Sequence, residues 1–235
     1  MELSERYKHF GEGLFETFKV ENGKLPTHFE YHYKRLKRSA NFFQIPAPTF
    51  EEFKTFVEKN IAFTKREGGA FAVKVLLLSL GGSYYGATAT DYKLEIFIKK
   101  YMPPSADLTL TISSYRRHSA NPIWRHKTTG GFIFNSLVKK EATSRGFYDA
   151  LILNERGFIT ETSSANFYCL KDGTLLTPPL EDGLLPGITR RVLLETDKAI
   201  EVQLEPDFLK KCEKFYISNS LLGLKEINID GFKRK

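Results

Sequence analysis

The chain has 235 residues, 41% hydrophobic and 27% charged, an ordinary globular balance that excludes a disordered or fibrous chain. At roughly 150 residues per domain it makes one large domain or two small ones. Its longest strictly apolar stretches, such as Val75 to Leu78, fall far short of the roughly 20 residues a membrane span needs, and residues 1–8, MELSERYK, carry charges where a signal peptide needs an apolar region. A cytoplasmic protein with no membrane partner is expected. The 35 basic and 28 acidic residues leave a net charge of +7, which suits a nucleic acid, an anionic small molecule or simply a lysine-rich surface.

Leu14 to Val20 alternates as a strand and turns over Glu21 to Lys24. Phe29, Tyr33, Leu36, Ala40 and Phe43 mark one face of a helix, with Arg35 beside that stripe. Thr49 and Glu52 form a capping box for a second helix, Phe50 to Ile61, which Gly68 and Gly69 stop. Ala70 to Leu80 and Leu94 to Ile98 read as strands. Residues 102–107 form a Pro-Pro linker, a candidate boundary between an N-terminal part, 1–101, and a C-terminal part, 108–235. In the latter, a strand over Leu108 to Ser113 precedes a helix from Phe134 to Arg145. Hairpins at 148–161 and 166–177, a helix over Ile188 to Ala199, and strands at 214–217 and 225–229 follow. Hairpins dominate this half, so the fold class is α+β and not a parallel doubly wound sheet.

Cys169 and Cys212 are too few for a disulfide framework or a thiolate zinc site. His28 and His32 stand four apart, but the acid of H-F-E-Y-H is one place late for a zinc protease, so no metal is expected. No nucleophile elbow or P-loop occurs, and Gly11-Glu12-Gly13 lacks the third glycine of a dinucleotide fingerprint. Three dense polar stretches remain. In Arg125-His126-Lys127-Thr128-Thr129-Gly130-Gly131, a crowded lysine has its charged form disfavoured and gains nucleophilicity, though most lysines are solvated side chains. Glu161, ending an apolar strand before Thr162-Ser163-Ser164-Ala165-Asn166, can face a cationic ring nitrogen or simply begin a capping turn. Leu185-Pro186-Gly187-Ile188-Thr189 opens a helix whose first N–H groups suit an anion, as many helix starts do.

Taken together and in this order, K-T-x-G-G-F, G-F-I-T-E-T-S-S-A-N-F, L-x-T-P-P-L and G-L-L-P-G-I-T-R resemble the class IV aminotransferase family of fold-type IV pyridoxal-phosphate enzymes. Phe10 to Phe18, F-G-E-G-L-F-E-T-F, and His32 to Ala40, H-Y-K-R-L-K-R-S-A, are similar to that family's opening strand and helix. The resemblance spans nearly the whole chain, most thinly between residues 51 and 120. It implies a small α/β domain with a larger pseudo-barrel β/α domain, a homodimer, and pyridoxal 5'-phosphate as cofactor, held covalently by Lys127 as a Schiff base. Lys127 then also moves protons at the substrate carbon. The same resemblance implies that Glu161 faces the pyridine nitrogen, that Arg35, Ile188, Thr189, Asn219 and Ser220 bind the phosphate, and that Leu185 covers the ring.

Within the family the branched-chain group usually has F-E-G where this chain has Phe15-Glu16-Thr17, and a tyrosine at the place of Phe132. The D-amino acid group usually has tyrosine at Phe15 and an arginine after the third strand, whereas residues 76–86 contain none. Phe15-Glu16-Thr17, Gly81-Gly82-Ser83-Tyr84-Tyr85, Asn121-Pro122 and Asn219-Ser220-Leu221 are similar to the aminodeoxychorismate lyase group. That group commonly has an arginine in the Gly-Gly turn, so the contact to the substrate carboxylate has no counterpart here. The resemblance thus implies a lyase forming 4-aminobenzoate and pyruvate from 4-amino-4-deoxychorismate, a step of folate biosynthesis. The alternative is a transaminase of D-amino or branched-chain amino acids and 2-oxo acids. Nucleic-acid binding is the distant alternative, because the basic residues are interleaved with acids and no recognition motif occurs.

Overall fold

A computed structural model describes residues 5–82, 84–104 and 108–232. Ser83, the last three positions of the expected linker at 105–107 and the basic tail at 233–235 lie outside the described residues. The chain divides into two compact units, one holding the chain up to Met102 with His126–Gly131, the other holding Pro103–Arg125 and the chain from Phe132 onward. The linear division puts residues 126–131 in the C-terminal domain, whereas the structure gives them to the first unit, because their backbone bonds run to its first strand.

In the first unit, α1 (Arg6–Phe10) leads into β1 (Gly13–Glu21), α2 (Phe29–Phe42), α3 (Phe50–Ile61), the single turn α4 (Thr64–Glu67), β2 (Ala70–Leu80) and β3 (Asp91–Lys100). The strands make an antiparallel sheet in the order β1-β2-β3. The capping box forms as its residues require: Glu52 N–H donates to Thr49 Oγ1, and Thr49 N–H to Glu52 Oε2. Alternation along β1 sends Leu14, Phe18 and Val20 into a core with Val73, Val75 and Leu77 of β2, Phe29, Leu36 and Ala40 of α2, and Phe53, Val57 and Ile61 of α3. Much of the aromatic content is used here. Phe29 stacks on Phe53 and meets Phe18 edge-on, while Tyr33 meets Phe50 edge-on.

The second unit contains β4 (Thr109–Arg117), α5 (Phe132–Ser144), β5 (Asp149–Asn154), β6 (Ile159–Thr162), β7 (Asn166–Lys171), β8 (Thr174–Thr177), α6 (Ile188–Glu195), β9 (Ala199–Glu201), β10 (Lys214–Asn219) and β11 (Gly223–Ile229). The sheet runs β10-β11-β4-β5-β6-β7-β8-β9, and β10 also pairs with β7. That extra pairing closes β4, β5, β6, β7, β10 and β11 into a barrel around Leu110, Leu151, Ile159, Phe167, Phe215, Ile217 and Ile227. Several expected elements change length, and two of them have a visible cause. The strand from Leu108 continues past Ser113 through an irregularity between Ile112 and Arg116 to Arg117, so parallel pairing with β5 overrides the polar run Ser113-Ser114. The helix from Ile188 stops at Glu195 instead of Ala199. Thr196 Oγ1 turns back on the Val192 carbonyl, Asp197 takes a left-handed φ of 53°, and Ala199 starts β9 beside β8. Among the described residues no helix is long and apolar enough to cross a membrane.

Candidate active site

The lysine stretch adds a short strand to the free edge of β1. Phe15 N–H donates to the Lys127 carbonyl at 2.9 Å and Thr129 N–H to the Gly13 carbonyl at 2.8 Å, with Leu14 and Thr128 as antiparallel partners. Phe15 and Lys127 therefore share one face of the sheet, and Lys127 Nζ lies 4.4 Å from the centre of the Phe15 ring. The flanking residues anchor this strand. Thr129 Oγ1 donates to the Gly11 carbonyl at 2.5 Å. His126 stacks on Phe42 and bonds Ser39 Oγ through Nδ1 at 2.9 Å.

Arg35 belongs to the other face of β1, where α2 packs. Its Nε and Nη2 donate to Glu16 Oε1 and Oε2 at 2.8 and 2.7 Å, and His32 Nδ1 meets Oε2 at 2.7 Å. All three side chains are buried. Burial by itself raises the Glu16 carboxyl, but the Arg35 guanidinium and the bonds from Arg35 and His32 outweigh it and hold the group at about 2. His32 is pushed below its ordinary value by burial, against the pull of Glu16. A phosphate bound by Arg35 would share the guanidinium with Glu16.

In the second unit Glu161 is a hub. Its Oε1 accepts from Arg117 Nη1 and, at 3.3 Å, from Leu185 N–H; its Oε2 accepts from Asn166 Nδ2 at 3.1 Å. Asn166 also donates to the Leu185 carbonyl at 2.9 Å, so the acid and the segment entering α6 are stapled together. Gly187 is demanded by this closeness, since a Cβ there would lie 2.0 Å from Asn166 Oδ1. No side chain caps α6 at Gly187. The N–H groups of Ile188 and Thr189 and the Thr189 hydroxyl are donors at this helix start, of the kind that anions accept from in general. Asn219 is occupied otherwise. Its Oδ1 accepts from Leu221 and Leu222 N–H, both at 2.9 Å, and its Nδ2 donates to the Ser164 carbonyl at 3.1 Å. Ser220 follows it in the turn after β10.

Within each unit the donor chemistry fits a phosphorylated pyridine cofactor: a lysine amine beside an aromatic ring in the first, an ionisable carboxylate and an uncapped helix start in the second. Arg117, Asn166 and Glu16 complete these arrangements. Glu16 and Asn166 stand inside the recognised motifs, but nothing in the sequence signals that Arg117 is buried against Glu161. Among the described residues no group of three or more His, Cys, Asp and Glu side chains is placed to hold a metal ion.

A small three-stranded α/β unit with a barrel unit carrying these groups defines a fold-type IV pyridoxal-phosphate protein. Residues 13–228 match the family described as Amino-transferase class IV, and this chain, an enzyme, belongs to the class IV aminotransferase family. Its members use pyridoxal 5'-phosphate. A branched-chain-amino-acid aminotransferase from Salmonella typhimurium is 25% identical over 91% of this chain and 72% of its own length. A Legionella pneumophila structure named “Putative 4-amino-4-deoxychorismate lyase” is 26% identical, with a TM-score of 0.86 over 97% of this chain and 87% of that one. A hypothetical aminotransferase from Mycobacterium tuberculosis, solved in its PLP-bound form, shares the fold at 20% identity, with a TM-score of 0.83 over 99% of this chain and 87% of its own.

Proposed function

We propose that this enzyme is a 4-amino-4-deoxychorismate lyase, forming 4-aminobenzoate and pyruvate. The observation that carries the reading is the likeness to the Legionella protein, at 26% identity over almost all of both chains. The motifs around Phe15-Glu16-Thr17 and Asn121-Pro122 agree with it.

When bound, pyridoxal phosphate supplies an electron sink for the carbon beside the substrate's amino group. Lys127 attaches the cofactor. Its amine then takes the ring proton of the substrate and protonates the departing enolpyruvate as the ring becomes aromatic. Glu161 holds a proton at the pyridine nitrogen, with Arg117 and Asn166 fixing the carboxylate. Ile188 and Thr189 bind the phosphate through their N–H groups, Arg35 adds positive charge to it, and Leu185 covers the ring. Asn219 acts through the turn it holds, so that Ser220 is the phosphate donor of that pair. A homodimer, a carboxylate-bearing substrate and a cytoplasmic location belong to the same reading.

The second reading, a transaminase, is favoured by the branched-chain relative at 25% identity. Lys127 then carries the proton from the substrate's α-carbon to the cofactor. Incubating the loaded enzyme with aminodeoxychorismate separates the two: pyruvate should appear with no 2-oxo acid acceptor, whereas an absolute requirement for an acceptor selects the transaminase. Lys127→Ala should lose the visible absorption of the bound cofactor. A wild-type protein that stays colourless after incubation with pyridoxal phosphate would remove both readings.

A further inference from the structure

The sheet face that carries Phe15 holds a second amine. Lys74 of β2 lies opposite Thr17 and diagonal to Phe15, and its Nζ is 4.3 Å from the centre of the ring that Lys127 approaches to 4.4 Å. The two amines are therefore no more than about 9 Å apart, inside the Debye length of about 10 Å at moderate salt. The ring attracts each cation, yet two like charges this close disfavour one another's charged form. Lys74 is only half-exposed, and burial pushes its own ammonium below the ordinary lysine value. Neither the linear motif nor the cofactor set uses this residue.

We propose that Lys74 is a positioning residue of electrostatic kind, whose ammonium keeps the Lys127 amine in its uncharged, nucleophilic form across the shared Phe15 ring. The inference rests on the proposed role of Lys127. Other charged groups also stand near the pair, and the charge of Lys127 reaches His32 across the sheet. On the helix-covered face of β1, Glu16, Arg35 and His32 are bonded to one another. On the Phe15 face, Glu95 of β3 is held by Lys93 at 2.7 Å and Lys19 of β1 by Glu21 at 2.8 Å, and Lys99 of β3 lies further along, level with Ala72. Arg125 and His126 precede Lys127 in the chain.

The test uses the full-length protein loaded with pyridoxal phosphate and reads the pH midpoint of its visible absorption. Lys74→Met should raise that midpoint by about 0.5–1 pH unit, and Lys74→Arg should leave it in place. An unmoved midpoint in Lys74→Met, with the band intact, overturns the proposal while the proposed function stands. If the band survives Lys127→Ala, it is the proposed function that fails. Should Lys74→Met not fold, the wild-type chain without cofactor decides. Acetylation by acetic anhydride, followed peptide by peptide in a mass spectrometer, should modify Lys127 at lower pH than the exposed Lys210. A Lys127 profile that follows Lys210, or a low-pH profile belonging to Lys74 in place of Lys127, rejects the idea.

Discussion

Among the described residues each unit has one arginine–glutamate pair with both partners buried, and the two pairs are built differently. Arg35 grips both oxygens of Glu16 through Nε and Nη2, and His32 Nδ1 also meets Oε2. Arg117 touches Glu161 through one nitrogen, and directs Nη2 to Asn135 Oδ1 at 2.8 Å and Nη1 also to the Gly183 carbonyl at 3.4 Å. Among the described residues its Nε has no hydrogen-bond partner, and the Trp124 ring lies 4.7 Å from the guanidinium carbon. The first pair is closed, and it holds β1 to α2. The second is distributed, with Glu161 shared among a strand, a loop and Asn166. The bonds to Glu161 come from three residues in different segments, whereas those to Glu16 come from two residues of α2, so Glu161 is a hub and Glu16 a scaffold.

The sharpest way to break this comparison is to remove the two acids in turn. Glu16→Ala should lower unfolding stability by about 3–5 kcal/mol, because it strands Arg35 in a buried site. Glu161→Gln also leaves the buried Arg117 without its acid but keeps an amide oxygen as acceptor, and should lower stability by about 1.5–3 kcal/mol, while reducing turnover about 100-fold or more. Urea unfolding and steady-state assays check both, and equal stability losses would erase the distinction between the pairs.

Acid tests the first pair next. Glu16 has its carboxyl depressed in the folded state, so its contribution is present above the ordinary value near 4.5 and disappears as pH falls towards about 2, a loss of about 3 kcal/mol. His32 is also depressed, so it adds stability above the ordinary histidine value of 6.5 that fades as pH falls below it. Melting temperature should thus fall in two stages on acidification. In Glu16→Gln the lower stage should vanish, and a wild-type melting temperature that stays flat down to pH about 3 would contradict the closed pair. The smallest effect belongs to a residue outside both pairs. Thr49→Ala removes the exposed capping box of α3 and should destabilise by about 1 kcal/mol with the cofactor band unchanged, as followed by thermal unfolding and absorbance.

The site was legible in proportion to how local its chemistry is. Thr49 and Glu52 need only each other, and the helix they predict is present. The periodicity of Phe29, Tyr33, Leu36 and Ala40 likewise needs no partner to be read, and Phe29, Leu36 and Ala40 are all buried. Lys127, Glu161 and Thr189, proposed for the cofactor, were singled out through the order of their motifs. Arg117 was not, because Ser113-Ser114-Tyr115-Arg116-Arg117 looks like a strand end, and only parallel pairing with β5 carries it inside. Asn219 lies in a recognised motif, but its amide turns to the backbone of Ser164, Leu221 and Leu222, a use that depends on how β10 ends.

By itself the sequence determined the α+β class, most of the helices and strands, and the family, since periodicity, capping and motif order are properties of neighbouring residues. Tertiary structure alone decided which unit receives His126–Gly131, where the helix from Ile188 stops, which acid is closed and which is distributed, and that Lys74 shares a ring with Lys127. Those outcomes depend on pairing between strands far apart in the chain, and the energy of such pairing comes from surfaces that exist only once the sheets have formed.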